Sequence, residues 1–257
     1  MNRKRKSQTE NVSSKIPRIE EDETDEDADP LKPSFPVCND TEAGIQYIRN
    51  IILKCKKLYP FPPVVFVHQI FNIIQNRTTV NRQIENLRNE KKIVLIHMGS
   101  DENMKIVVFH DDLKNHVLAE KTKSETMLFQ KFFDKVLLST RDIGISKTDL
   151  LIKHRFSEAD VRTLVNAGLL ILKETGIFWF SFPSAGAFMK RVLKGRQIIL
   201  QIIRKRRYRE ILQTELEKRK LDKSLELPLH YLIHDLVGGK VLKCVETTSG
   251  ALLRSST

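Results

Sequence analysis

Three segments of the chain repeat one pattern, and that recurrence limits the fold more than any other feature. Residues 84–109 read IENLRNEKKIVLIHMGSDENMKIVVF, residues 161–183 read VRTLVNAGLLILKETGIFWFSFP, and residues 233–254 read IHDLVGGKVLKCVETTSGALLR. Each is the end of a helix, a short polar or glycine break, a β-type run, a turn and a second β-type run. Leu87, Leu164 and Leu236 hold matching places, 77 and 72 residues apart. A period of this size predicts small domains of one type in tandem.

Local signals support the helices. Val80, Ile84 and Leu87 fall at i, i+4 and i+7, one face of a helix. Ser157 with Asp160 three residues on forms a capping box ahead of Val161, Leu164 and Val165. Gly168 stands where a terminal glycine ends that helix. In the third segment Pro228 is expected in the first helical turn and Gly238 at its close. Gly99-Ser100-Asp101, Thr175-Gly176 and Ser249-Gly250 mark the hairpin turns. More helical sequence lies upstream of each pattern, at 41–58 and 64–74, 125–138 and 147–154, and 186–220.

Helix, helix, helix, β-hairpin is the winged-helix order. The predicted fold is therefore α+β, with three tandem winged-helix domains after a disordered N-terminal tail. The predicted boundaries are 1–36 for the tail, then 37–121, 122–183 and 184–257. The competing architecture is one continuous α+β domain in which the likeness between segments is accidental.

Charge is placed unevenly. The chain carries +12 overall, yet residues 1–40 hold 7 Lys and Arg against 10 Asp and Glu, leaving +15 to the rest. Residues 190–223 hold 13 Lys and Arg against 4 Asp and Glu, so more than half of that excess sits in 34 residues. A basic segment this dense attracts polyanions through counterion release. Within it, Phe188, Val192, Ile199 and Ile203 make one apolar helix face. Lys190, Lys194, Gln197, Gln201, Arg204 and Tyr208 make another. Lysine and arginine on such a stripe suit phosphates, and glutamine can reach a base edge. The run Arg204-Lys205-Arg206-Arg207 turns about 100° per residue on a helix, so the chain must leave the core or end its helix there. A solvated helix end is the bland alternative.

Arg82 and Arg88, with Arg77, lie on or beside the helix that precedes the first hairpin. Lys153 and Arg155 flank its counterpart in the second repeat, where Glu158 and Asp160 would repel phosphate and favour protein contact. Lys218, Arg219, Lys220 and Lys223 extend the third repeat's basic stretch. The tail has two basic clusters, Arg3, Lys4, Arg5, Lys6 and then Lys15 and Arg18, spaced like a bipartite nuclear localisation signal. An acidic run at 20–29 follows. Its few apolar residues do not offset the entropy of ordering it.

Three cysteines without a C-x-x-C pair give neither a disulfide framework nor a zinc ribbon and suit a reducing compartment. The apolar runs fall short of the roughly 20 residues a membrane span needs, and no signal peptide is expected.

VNAG at 165–168, KGRQ at 194–197, RKRRYREIL at 204–212, IHDLVGG at 233–239 and TTSGALLR at 247–254 resemble the serine/threonine-protein kinase 19 family. The resemblance runs more weakly back to about residue 40 through NRQIENLRNEKKI at 81–93. It implies a nuclear protein of three winged-helix domains that binds double-stranded DNA and acts in transcription-coupled nucleotide excision repair. The implied partners are the Cockayne-syndrome repair proteins, stalled RNA polymerase II and the repair helicase complex. Carried residue by residue, the family's basic surface corresponds here to Lys190, Lys194, Arg196, Arg204, Lys205, Arg207 and Arg219.

Kinase chemistry needs a glycine-rich loop, an H-R-D-x-x-x-x-N loop and a D-F-G metal ligand. There is no G-x-G-x-x-G. His154-Arg155-Phe156 lacks the aspartate, and His234-Asp235-Leu236 lacks the downstream asparagine. No enzyme activity, cofactor or metal is therefore expected. His230 and His234 read as ordinary helix histidines, Asp111-Asp112 as helix-capping residues and Trp179 as a packed strand residue. Two functions remain in view, a DNA-binding repair factor and a protein–protein adaptor whose basic region serves mainly for nuclear import.

Overall fold

The computed structural model describes residues 40–55, 61–98, 104–119, 123–140, 142–219, 221 and 225–256. The N-terminal tail with both basic clusters, the turn at 99–101, Lys220 and Lys223 lie outside the described residues.

The first repeat comprises α1 (Asp40–Leu53), β1 (Val65–Phe66), α2 (Val67–Ile73), α3 (Arg77–Asn89), β2 (Ile93–His97) and β3 (Lys105–Phe109). Helix α4 (His110–Leu118) leads away from it. The second repeat opens with α5 (Lys123–Phe132), which runs on as a π-helical turn, Phe133–Leu137. It continues through β4 (Gly144–Ser146), a second π-helical turn (Asp149–Lys153), α6 (Glu158–Asn166), β5 (Leu170–Glu174) and β6 (Ile177–Phe180). The third has α7 (Ala185–Arg204), β7 (Glu210–Leu212), α8 (Gln213–Glu217), α9 (Leu229–Gly238), β8 (Leu242–Thr247) and β9 (Gly250–Ser255). Each repeat folds one antiparallel three-stranded sheet with the same order, β1-β3-β2, β4-β6-β5 and β7-β9-β8. The hairpin's second strand is always central, and a strand of two or three residues from earlier in the repeat closes the far edge.

The three matching leucines have a shared backbone task. The carbonyls of Leu87, Leu164 and Leu236 accept hydrogen bonds from the amides of Lys92, Leu169 and Val241, at 3.0, 3.0 and 2.9 Å. Each bond spans a residue in the left-handed conformation, Lys91 at φ 62°, Gly168 at φ 74° and Lys240 at φ 59°. This is the reverse turn that ends a helix and aims the chain into a strand. Gly168 therefore does what the sequence predicts, but in the third repeat Lys240 takes that position instead of Gly238. Gly238 is the last residue of α9, closing the helix as expected, and a Cβ there would sit 1.9 Å from the carbonyl oxygen of His68. Its role is close approach of α9 to α2. Pro228 stands just before α9 and supplies the carbonyl that accepts from Leu232 N at 3.2 Å. At α6 the capping box forms in both directions, Asp160 N to Ser157 Oγ at 3.1 Å and Ser157 N to Asp160 Oδ2 at 2.8 Å.

One continuous apolar core joins the repeats. Val80, Ile84 and Leu87 bury the inner face of α3. Phe188 of α7 packs among Phe61, Phe66 and Phe182, at centroid separations of 5.5, 6.2 and 5.9 Å. His97 of β2 packs on Trp179 of β6 at 4.4 Å. Helix α9 is apolar on several sides and docks against α2, α1 and α7.

A polar cluster fixes that docking. Asp235 of α9 is 1% exposed. It accepts Arg196 Nε and Nη2 at 2.6 and 2.7 Å, and His68 Nε2 of α2 donates to it at 2.8 Å. Burial disfavours the charged form of Asp235, but the hydrogen bonds from Arg196 and His68 outweigh it and hold its pKa below the ordinary carboxylate value. Nearby, Gln69 Nε2 donates to the Tyr231 carbonyl at 3.0 Å, and Tyr231 Oη to the Val64 carbonyl at 3.1 Å. The first and third repeats are thus tied through satisfied buried polar groups.

Asp235→Asn leaves the Arg196 guanidinium without its counter-charge, and is expected to cost about 3–5 kcal/mol in urea unfolding. A depressed carboxylate pKa contributes stability in full above its unfolded value of about 3.9. That contribution is lost as pH falls through the lower folded value, so wild type should lose stability below about pH 4 and the asparagine variant should lack that step. Gly238→Ala should cost about 1–3 kcal/mol or more through its clash with the α2 backbone. Gly186→Ala, which meets only open space, should be neutral or slightly stabilising in the same titration.

Candidate nucleic-acid interface

Helix α7 divides along its length into two faces, as its sequence period predicts. Phe188, Val192, Ile199 and Ile203 are fully buried. Lys190, Lys194, Gln197, Gln201 and Arg204 are all exposed on the other side. The helix runs unbroken through Gly195, where a Cβ would lie 2.5 Å from Leu232 Cδ1. That glycine admits α9, so it acts as a packing position within one continuous helix. Residues 186–219 are therefore one long helix, a turn, the short β7 and the short α8.

The basic run coincides with the end of α7. Lys205 is the C-cap, its amide donating to Gln201 O at 3.2 Å, and residues 205–209 form the turn into β7. Two points pin this turn. Arg206 forms an ion pair with Glu215 of α8, which Arg219 also approaches at 3.3 Å. Arg209, left-handed at φ 52°, offers its carbonyl to Ser255 N at 3.0 Å. Between the pins, Arg207 and Tyr208 project outward, with the Arg207 guanidinium 5.2 Å from the Tyr208 ring centroid. Lys190, Arg204 and Lys205 have no acidic partner among the described residues. Lys194 pairs with Glu226 at 2.8 Å, a carboxylate that Arg191 also approaches at 3.0 Å. Exposed pairs of this kind are weak enough to exchange for a phosphate.

Arg196 departs from the expectation that placed it in the DNA-contacting set. Both hydrogen-bonding edges it uses point inward to Asp235, so it serves the core. Arg82 is exposed on α3 with no acidic partner among the described residues. Arg88, on the same helix, is half-buried, lies 3.6 Å from Glu85, and lines a cleft of about 820 Å³ between the first two sheets. Helix α3 packs on α1, α2 and β2, whereas α7 packs on α9, β7 and β9, so the two basic sets belong to different layers. In the second repeat Glu158 pairs with Lys147 at 2.8 Å, and Asp160 is engaged in the capping box.

Sequence reasoning missed three features of this surface. Arg206 is a scaffold residue, because Glu215 lies opposite it once β7 and α8 fold back. The turn at 205–209 takes Tyr208 off the helix while leaving it exposed. The helix preceding the third hairpin, α9, has no free face for a groove, a fact signalled by its sequence LHYLIHDLVG, which lacks lysine and arginine.

The residues that might suggest enzyme chemistry are otherwise engaged. Asp235 is the buried acceptor of Arg196 and His68. His234 is hydrogen-bonded to Asn72 at 2.9 Å, and burial lowers its pKa, while His230 points to Glu217 at 3.7 Å. Asp112 holds Arg49 at 2.5 and 2.7 Å in the first turn of α4.

The chain is similar to proteins called winged helix repair factor 1. It is 37% identical to the Xenopus laevis protein over 196 residues, 76% of this chain and 75% of the relative. It is 34% identical to the human protein over 194 residues, 75% of this chain and 76% of the relative. The Mus musculus protein is 33% identical over 235 residues, 88% of this chain and 89% of the relative. A family model described as inactive serine-threonine protein kinase 19 matches residues 35–255. With nearly the whole described chain covered, this protein belongs to the inactive serine-threonine protein kinase 19 family.

Proposed function

We propose that this chain is a nuclear repair protein that binds double-stranded DNA through the outer face of α7 and the turn that follows it. The observation that carries the reading is the trio Arg204, Lys205 and Arg207, exposed at the C-terminal end of α7, with Lys190 exposed on the same helix nearer its start. A solvated helix end accounts for one or two such charges. It does not account for a turn whose other arginines are tied down while these remain presented.

The reading takes the three repeats as tandem winged-helix domains at 37–121, 122–183 and 184–257. Their common strand order and the helix-ending bonds at Leu87, Leu164 and Leu236 support it, as does the name winged helix repair factor borne by the relatives. Because α9 is buried, the third domain meets DNA through its first helix. Contacts from lysine and arginine to phosphates then dominate, and sequence preference is small. Arg219 and Lys194 extend the surface, and Arg82 and Arg88 offer a second one on α3. The resemblance to the family adds transcription-coupled nucleotide excision repair as the setting. It adds docking on stalled RNA polymerase II with the Cockayne-syndrome proteins and the repair helicase complex. Arg3, Lys4, Arg5, Lys6, Lys15 and Arg18 would direct nuclear import.

An adaptor role has its own support in the second repeat, which exposes Ile152, Ile171 and Leu172 and, among the described residues, presents no basic cluster like that at the end of α7. The two roles divide the surface between them and are compatible.

Fluorescence anisotropy on a duplex across a salt series tests the DNA reading. The triple variant Arg204→Glu/Lys205→Glu/Arg207→Glu should lose at least about tenfold in affinity and flatten the log–log salt slope by about 3. Unchanged binding at unchanged circular dichroism moves the surface elsewhere, with Arg82 the next position to test. No wild-type binding leaves the adaptor role.

A further inference from the structure

We infer that Tyr208 is a base-stacking platform, and that the basic corner prefers DNA carrying unpaired bases to intact duplex. The inference rests on the DNA-binding reading above and names the form of DNA that the same site favours.

Exposure of aromatic rings is the first observation. Among the described residues only Tyr47 and Tyr208 are exposed aromatics, at 53% and 67%. Tyr47 has a ring partner, His234, edge-on at 5.7 Å. Trp179 is half-buried and engaged by two neighbours, His97 at 4.4 Å and Lys173 Nζ at 5.6 Å. Tyr208 has Arg207 over one face and, among the described residues, no other ring contact. A single exposed ring is ordinary on a protein surface; Tyr208 stands out because the exposed cations Arg204, Lys205 and Arg207 immediately precede it in the chain.

The second observation is how the ring is presented. Arg206 and the Arg209 carbonyl hold the turn at both sides, so Arg207 and Tyr208 form a fixed tip. The Arg207 guanidinium limits the swing of the ring, and less conformational freedom is lost when a base stacks on its open face. Lys205 and Arg204, just behind in the chain, are placed to take the flanking phosphates. An aromatic among cations is the arrangement that tracks single strands, with charge on the backbone and π-stacking on the bases. In an intact duplex the base faces are already stacked, so the ring gains nothing there. An unpaired base leaves a face open to it.

The test compares two DNAs of equal length, a duplex and the same duplex with a central stretch of unpaired bases that includes 2-aminopurine. Anisotropy gives the affinity ratio, and 2-aminopurine quenching reports stacking directly. Wild type should favour the unpaired DNA by about fivefold or more, the low end for one stacked base, and quench the probe. Tyr208→Ala, at unchanged circular dichroism, should bring the ratio close to one and abolish the quenching. Tyr208→Phe should behave as wild type, because the ring and not the hydroxyl is used. Equal wild-type affinity for the two DNAs overturns the inference while leaving duplex binding intact. A preference that survives in Tyr208→Ala overturns it as well, assigning the preference to backbone flexibility. Loss of preference in Tyr208→Phe overturns it in favour of a hydroxyl–phosphate contact. Failure of wild type to bind either DNA overturns the DNA-binding reading and this inference together.

Discussion

The buried carboxylate of Asp235 is the interaction on which the arrangement of this protein turns. A charge that deep is tolerated only when its hydrogen bonds are filled. Arg196 from α7 and His68 from α2 fill them, and so three helices from two repeats meet at one residue. Gly238 lets the α2 backbone reach α9, Gly195 lets Leu232 reach α7, and Phe188 closes the apolar layer beside them. The first and third repeats are consequently parts of one packed body. The same contacts remove Asp235 from any resemblance to a catalytic loop.

That packing decides which surface remains for a partner. In a lone winged-helix module the helix before the hairpin is the element that enters a groove. Here α9 spends that face on α2 and carries no lysine or arginine. The third repeat keeps open the hairpin β8–β9, the outer stripe of α7 and the pinned turn after it, and the stripe and turn are rich in cations and interrupted by Gln197, Gln201 and Tyr208. Under the proposed function, a surface of this kind would read charge and shape rather than base sequence.

Much of this was legible in the sequence because it follows from local rules. The matched leucines located three helix ends, and the structure shows why they match, since each leucine carbonyl receives the bond that turns helix into strand. The Ser157–Asp160 capping box and the two faces of α7 were equally direct. What escaped was long-range. Strands β1, β4 and β7 are two or three residues long, too short for any alternation to show, and they exist only because a hairpin elsewhere offers an edge. Helix α4 follows β3 without a break, and the sequence marks it only through Asp111-Asp112, the acidic pair in its first turn. Arg196 looked like its basic neighbours, and only a partner 39 residues away turns it inward. Gly238 does end α9, as its sequence suggests, but the further demand for glycine there comes from His68, 170 residues earlier in the chain.

Hydrogen–deuterium exchange on the full chain, with and without duplex DNA, tests the central claim most directly. The claim is that the outer side of α7 and its turn face the nucleic acid while α9 belongs to the core. It predicts new protection at 204–209 and no change across α9, whose amides are already protected in the free protein. DNA-dependent protection of α9 with none at 204–209 would contradict it, because α9 would then have to leave α2 to bind.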